Sequence, residues 1–298
     1  MTSRQAAADP AEALLTDVER WTAMDRSPSA AEARTEVLVR LRMQQIAHPA
    51  FGLVHQLATR MLIVADAAVI RGDSPVDLRA AVSRACAAER QDLETMRAGA
   101  ARVAASLITE REGWIATVGD DPSLRRALSE ARRLERAPRV IAGEGRPSYA
   151  GRALAAALAA EDTPVWLVAD AALPMLLAPA QMLWFAALAV TDRGAIAPLG
   201  AFAAALAARE HSVPAYALAG RRAFLPATTA ALRIVERDPE ELWETPPPGV
   251  RARNIHEELV PLALLRGVVV EDAALGPLES AQLAREREVP VELAVSPA

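Results

Sequence analysis

The chain has 298 residues, of which 52% are hydrophobic, much of that alanine, and only 4% are aromatic. That balance favours closely packed helices and α/β layers over an aromatic-rich β sandwich. A net charge of −5 provides no basic field to hold nucleic acid, and a single cysteine, Cys86, excludes an intrachain disulfide and any cysteine-based metal cluster.

The first third is helical in pattern. Asp9 before Pro10 suits a helix start, and 11–24 follows as a helix. Ser29 caps a second, 29–47, whose apolar positions are Val37, Leu38, Leu41 and Met43. His48-Pro49 interrupts it, and 51–71 is apolar on several sides, as expected of a central helix in a bundle. A turn at 72–75 leads to one or two long helices over 76–109. With no strand before about residue 112, a helical domain over 1–111 is expected. The start MTSRQAAADPAEALL lacks a basic segment followed by an apolar core, so a cytoplasmic chain without a secretory signal is expected.

The pattern then changes to short apolar runs alternating with helices. Strands are expected at 113–118, 138–142, 163–169, 182–190 and 213–219, with helices at 123–135, from about 148, and at 197–210. This predicts an α/β domain over 112–298, a Rossmann-like parallel sheet with helices on both faces. Thr117, Glu144, Arg146 and Asp170 would line the edge where ligands bind in such sheets. Residues 171–190 are uncharged and long enough for a membrane span, but Pro174, Pro179 and Gln181 break them, so no membrane segment is expected. The tail from about 234 is loop-rich, with Pro246-Pro247-Pro248-Gly249, a helix start at 261–265, a strand at 268–270 and a disordered 296–298.

The most informative stretch is VIAGEGRPSYAGRALAAAL, 140–158. A strand, a turn containing Gly143, Gly145 and Arg146, and a helix together describe an anion site: free N–H groups, a helix dipole and a guanidinium. The plainer alternative is a tight turn whose Arg146 pairs with Glu144 or solvent. No G-x-G-x-x-G or phosphate-binding loop motif is present, and no nucleophile elbow. The four histidines, His48, His55, His211 and His256, lack ligand spacing and are expected at helix ends or on the surface, so no metal or cofactor is expected. Asp120-Asp121 before Ser123 suits either a magnesium contact or a helix cap, with the cap favoured.

Glu144-Gly145-Arg146-Pro147 with Gly151-Arg152-Ala153-Leu154 resembles the E-x-R-P…G-x-x-L segment of the family that contains the regulatory subunits of initiation factor 2B, methylthioribose-1-phosphate isomerase and ribose-1,5-bisphosphate isomerase. The likeness extends to TPVWLVADAA at 163–172, GAFAAALAAREHSVPAY at 200–216, Arg237-Asp238-Pro239-Glu240-Glu241, and Asn254…Glu258…Pro261. Residues 117–128 resemble the family's T-x-S-x-S-x-x-x-x-R-A-L run. The resemblance implies a helical N-terminal domain, dimerisation through a Rossmann-like C-terminal domain, and a sugar-phosphate or nucleotide pocket at the strand ends. It implies ligand contacts at Arg146, Gly145, Gly119, Asp120, Ser123 and Asp170.

In the family's isomerases a Cys and an Asp move the protons. Here Gly119 stands at the Cys or Ser position, and an ungapped register places Ala187 at the Asp, Ala197 at the Asn and Pro198 at the Lys of the family's Asn-Lys pair. A gapped register offers Asp192, and Asp170 is the other remaining carboxylate. The expected function is therefore a catalytically degenerate member that binds a phosphorylated small molecule or serves as a regulatory subunit. The alternatives are an isomerase with a rearranged site, and an interaction subunit with a vestigial pocket.

Overall fold

The computed structural model describes residues 9–109, 112–136 and 138–294. The first eight residues, the expected boundary at residue 111 and the expected disorder at 296–298 lie outside them. By compactness the chain forms two units: one runs to Thr95 and includes Thr228–Arg233 and the chain from Glu288, and the other comprises Met96–Ala227 and Ile234–Arg287.

The first unit is helical. α1 spans Pro10–Met24, and the Asp9 carboxylate accepts from Ala11 N. α2 spans Ala30–Ala47, with the Ser29 hydroxyl accepting from Glu32 N. α3, Gly52–Arg71, buries Val54, Leu57, Ala58, Met61, Leu62 and Ala65, as its all-round apolar pattern requires. It is the one helix among the described residues that is long and apolar enough to cross a membrane. α4 is a single helix, Pro75–Ser106, whose last turns belong to the second unit.

His55 corrects the expectation of surface or helix-end histidines. It is wholly buried, its Nδ1 accepting from Gln45 Nε2 at 2.8 Å and its Nε2 donating to Pro49 O at 3.2 Å. Gln45 Nε2 also donates to Leu293 O, which ties the C-terminal turn Val291–Ala294 to this core. Cys86 is buried against Met61 Sδ, and burial pushes its thiol up to about 12, so it is inert at neutral pH.

The second unit is α/β. Its elements in chain order are β1 Trp114–Val118, α5 Pro122–Arg133, β2 Arg139–Gly143, α6 Ala150–Ala160, β3 Val165–Val168, β4 Ala180–Ala186, β5 Ala189–Val190, β6 Ala195–Pro198, α7 Ala201–Glu210, β7 Ala215–Leu218, β8 Glu236–Arg237, β9 Asn254–Ile255, β10 Glu257–Val260, β11 Gly267–Val269, β12 Ala274–Leu275 and α8 Pro277–Arg285. Seven strands form one sheet in the order β12-β11-β7-β4-β1-β2-β3, parallel except for β12. Both faces are buried. Ala116, Leu183 and Phe185 pack with α7 residues such as Ala204 and Ala208, while Ile115, Trp184 and Val140 pack with Leu124, Leu128 and Leu154 of α5 and α6. Strands buried on both faces show as continuous apolar runs, which is why short apolar runs between helices marked them.

Two expectations fail in detail. The run 182–190 is not one strand: β4 ends at Ala186, and β5 joins β6 and β10 in a separate three-stranded antiparallel sheet. The first residues of the expected helix at 197–210 instead end β6, and α7 starts at Ala201. Residues 171–190, by contrast, are broken as expected: the 3-10 segment Asp170–Leu176 is followed by the central strand β4.

Candidate functional site

The ends of β1 and β2 are neighbours, Thr117 lying opposite Ala142, so the turns that follow both strands open on the same edge. After β2, Gly145 adopts φ +75°, which turns the N–H groups of Gly145 and Arg146 toward one point, as in an anion-binding nest. The Asp170 carboxylate occupies that point: Oδ1 accepts from Gly145 N at 2.8 Å and Oδ2 from Arg146 N at 2.7 Å. A Cβ on Gly143 would stand 2.7 Å from Asp170 Oδ1, so the bare glycine is what admits the carboxylate.

α6 begins at Ala150, two residues later than the expected start near 148, because Tyr149 takes a left-handed conformation with φ 59°. The Arg146 guanidinium donates to the Tyr149 hydroxyl and lies 5.0 Å from its ring centroid. Arg152 lies 3.9 Å from the same ring and pairs with Glu144 at 2.7 Å. Arg152, not Arg146, is thus the partner of Glu144. Tyr149 and Arg152 stood inside the most informative stretch but had no assigned part; a tyrosine between two arginines three residues to either side was the available signal.

After β1, Gly119 adopts φ +78°, and a Cβ there would stand 2.8 Å from Pro198 Cγ and 3.0 Å from Pro198 Cβ. The positions that the resemblance assigns to a Cys or Ser and to a Lys are therefore in contact as a glycine and a proline. Ala187 and Ala197, at the Asp and Asn positions, are buried methyl groups. The sequence contains no lysine: its 33 cationic side chains are all arginine. Asp120 is held by Arg125 through bonds of 2.5 and 2.7 Å. Asp121 caps α5, its Oδ1 accepting from Ser123 N and Ser123 Oγ, so the favoured cap is formed by Asp121 alone. Thr117 does not line the edge; it is wholly buried and its hydroxyl has no hydrogen-bond partner among the described residues.

Glu258, on β10, accepts from Gly200 N at 2.7 Å and Phe202 N at 2.9 Å and so caps α7. Its place in the Asn254…Glu258…Pro261 pattern carries no local sign of this role, because its partners lie more than 50 residues earlier. Asp192 sits in the turn between β5 and β6, accepting from Ala227 N at 2.9 Å. Pro198 is at the opposite end of β6, which places Asp192 on the order of 10 Å or more from the Gly119 contact. The structure therefore brings Gly145, Arg146 and Asp170 together, puts Gly119 against Pro198, commits Asp120 and Ser123 to partners of their own, and leaves Asp192 apart. No group of three or more His, Cys, Asp or Glu side chains among the described residues is placed to hold a metal ion.

The model of the initiation factor 2 subunit family matches residues 22–275. No curated protein matches. Among solved structures, the Pyrococcus horikoshii translation initiation factor eIF-2B is similar with a TM-score of 0.78 and 18% identity over 93% of each chain. The P. horikoshii 5-methylthioribose 1-phosphate isomerase gives 0.72 and 16% over 93% of this chain and 82% of that one. The tetrameric eIF2B-beta2-delta2 complex of Chaetomium thermophilum gives 0.71 and 20% over 95% and 90%. At these identities the likeness is one of fold.

Proposed function

The chain belongs to the initiation factor 2 subunit family, and from that premise we propose that it is a catalytically silent member, acting as a regulatory or assembly subunit rather than as a sugar-phosphate isomerase. The contact between Gly119 and Pro198 carries this reading. Moving a proton at a sugar carbon needs a positioned acid and base, each worth ~10²–10⁴-fold in rate. Glycine, proline and two alanines supply neither, and there is no lysine elsewhere to stand in. Asp192 is occupied with Ala227 N, and Asp170 with Gly145 and Arg146. The test is turnover of ribose 1,5-bisphosphate and 5-methylthioribose 1-phosphate followed by ³¹P NMR. No ketose product above the buffer rate is expected; product formation that disappears in Asp192→Asn or Asp170→Asn would overturn the reading.

The structural relative from C. thermophilum is a tetramer of beta and delta subunits. By analogy this chain works in the cytoplasm as part of an oligomer, a homodimer formed through its 112–298 domain, while the 1–111 domain remains helical.

A second reading, binding of a phosphorylated small molecule, is favoured by the Arg146 and Arg152 guanidiniums gathered on Tyr149. Because Asp170 already fills the backbone nest, the phosphate would be met by Arg146 from the side, with Gly145, Gly119, Asp120 and Ser123 shaping the edge around it. Thermal unfolding against sugar phosphates and nucleoside monophosphates tests it. A ligand at ~100 times its Kd should add about 2.7 kcal/mol, and the shift should vanish in Arg146→Ala. A shift retained in that variant would refute the assignment.

A further inference from the structure

A cavity of about 480 Å³ opens between the turn after β8 and the proline-rich segment 246–248. That volume is within the range of small-molecule sites. We propose that it binds a cationic, partly apolar group, a guanidinium or an alkylammonium on a methylene stem.

The wall explains the choice. The Asp238 carboxylate accepts from Glu240 N at 3.0 Å and fixes the 3-10 turn Pro239–Glu241. That turn presents Glu240, then Trp243 and Glu244, to the cavity. Trp243 is 49% exposed, so part of its surface is open to a ligand. Of the two cations in the wall, Arg237 pairs with Glu257 at 3.0 Å, while Arg251 makes no hydrogen bond or ion pair among the described residues; Glu236 is held by Arg253 at 2.6 Å. Glu240 and Glu244, which line the cavity with Trp243, have no side-chain hydrogen-bond or ion-pair partner among the described residues. An indole face attracts a cation through its quadrupole, two carboxylates beside it add charge, and Pro239 and Pro246 offer apolar surface to a stem. A phosphate or carboxylate ligand would meet both glutamates and is disfavoured.

The same group could be a free amine or guanidine, or an arginine or lysine side chain of a partner. Trp243 fluorescence separates these sources. The intact protein is titrated at constant ionic strength with agmatine and, separately, with the blocked tripeptide Gly-Arg-Gly, with Trp243→Phe identifying the responding indole among five tryptophans. Saturable quenching is expected, absent in Trp243→Phe and at least tenfold weaker in affinity in the Glu240→Gln, Glu244→Gln double variant. Tighter binding of agmatine indicates a free ligand, and tighter binding of the tripeptide a partner side chain. No saturable change with either probe, or a change that the double variant leaves intact, would overturn the proposal.

Discussion

His55 and Gly119 show how much one residue's surroundings decide. Burial pushes the His55 imidazole down to about 4, against an ordinary value of 6.5. Between those values the unfolded chain binds a proton that the folded chain does not, so stability rises with pH. The contribution is complete above pH 6.5 and is lost as pH falls toward 4, with a slope of at most about 1.4 kcal/mol per pH unit. Urea midpoints at pH 7.0, 5.5 and 4.5 should fall accordingly, and the fall should be shallower in His55→Gln. At Gly119, a left-handed φ combines with a methyl-to-proline approach of 2.8 Å. Gly119→Ala should therefore cost roughly 1–3 kcal/mol, and part of the loss should return when Pro198→Ala is added, measured as coupling in a double-mutant cycle. Additive effects would mean that the contact is not what excludes a side chain. At this scale the sequence was legible where partners are local. Asp9, Ser29 and Asp121 cap helices two or three residues away, as their types indicate. It was silent where partners are distant: Asp170 meets the Gly145 turn 25 residues earlier, and nothing local in its strand end announces that bond.

Among the elements, two helices that begin near the strand ends are capped by a carboxylate of the same chain, Asp121 at α5 and Glu258 at α7, while Asp170 holds the Gly145-Arg146 turn that precedes α6. At α5 and α7 the positive helix end is thereby answered from within. Removing the Glu258 carboxylate should cost about 0.5–2 kcal/mol, the usual range for a lost cap, and should raise amide exchange at Gly200 and Phe202 in particular; unchanged exchange there would refute its role. The element boundaries that sequence missed have physical causes. No polar residue marks the break between β4 and β5 at Ala187-Leu188, and the strand β6 hides in an alanine-rich stretch that suits a helix equally well. α8 was missed although its signals were present: Pro277 opens it and Glu279 accepts from Gly276 N.

For the whole molecule, the order of apolar runs was enough to expect a parallel sheet covered on both faces, and the motif order was enough to expect the family. What remained hidden was whether the strand-end turns are open to a ligand, because that depends on contacts between segments far apart in sequence, such as Gly119 with Pro198. The central claim is that this chain keeps its family's fold without its proton chemistry. The most direct measurement is solvent exchange at carbon 2 of an aldose 1-phosphate in D₂O, with the protein at stoichiometric concentration, because exchange registers proton abstraction even when no net product accumulates. The account predicts no deuterium incorporation beyond the protein-free control for either ribose 1,5-bisphosphate or 5-methylthioribose 1-phosphate. Incorporation that is lost in Asp192→Asn or Asp170→Asn would contradict it and establish a working acid–base pair.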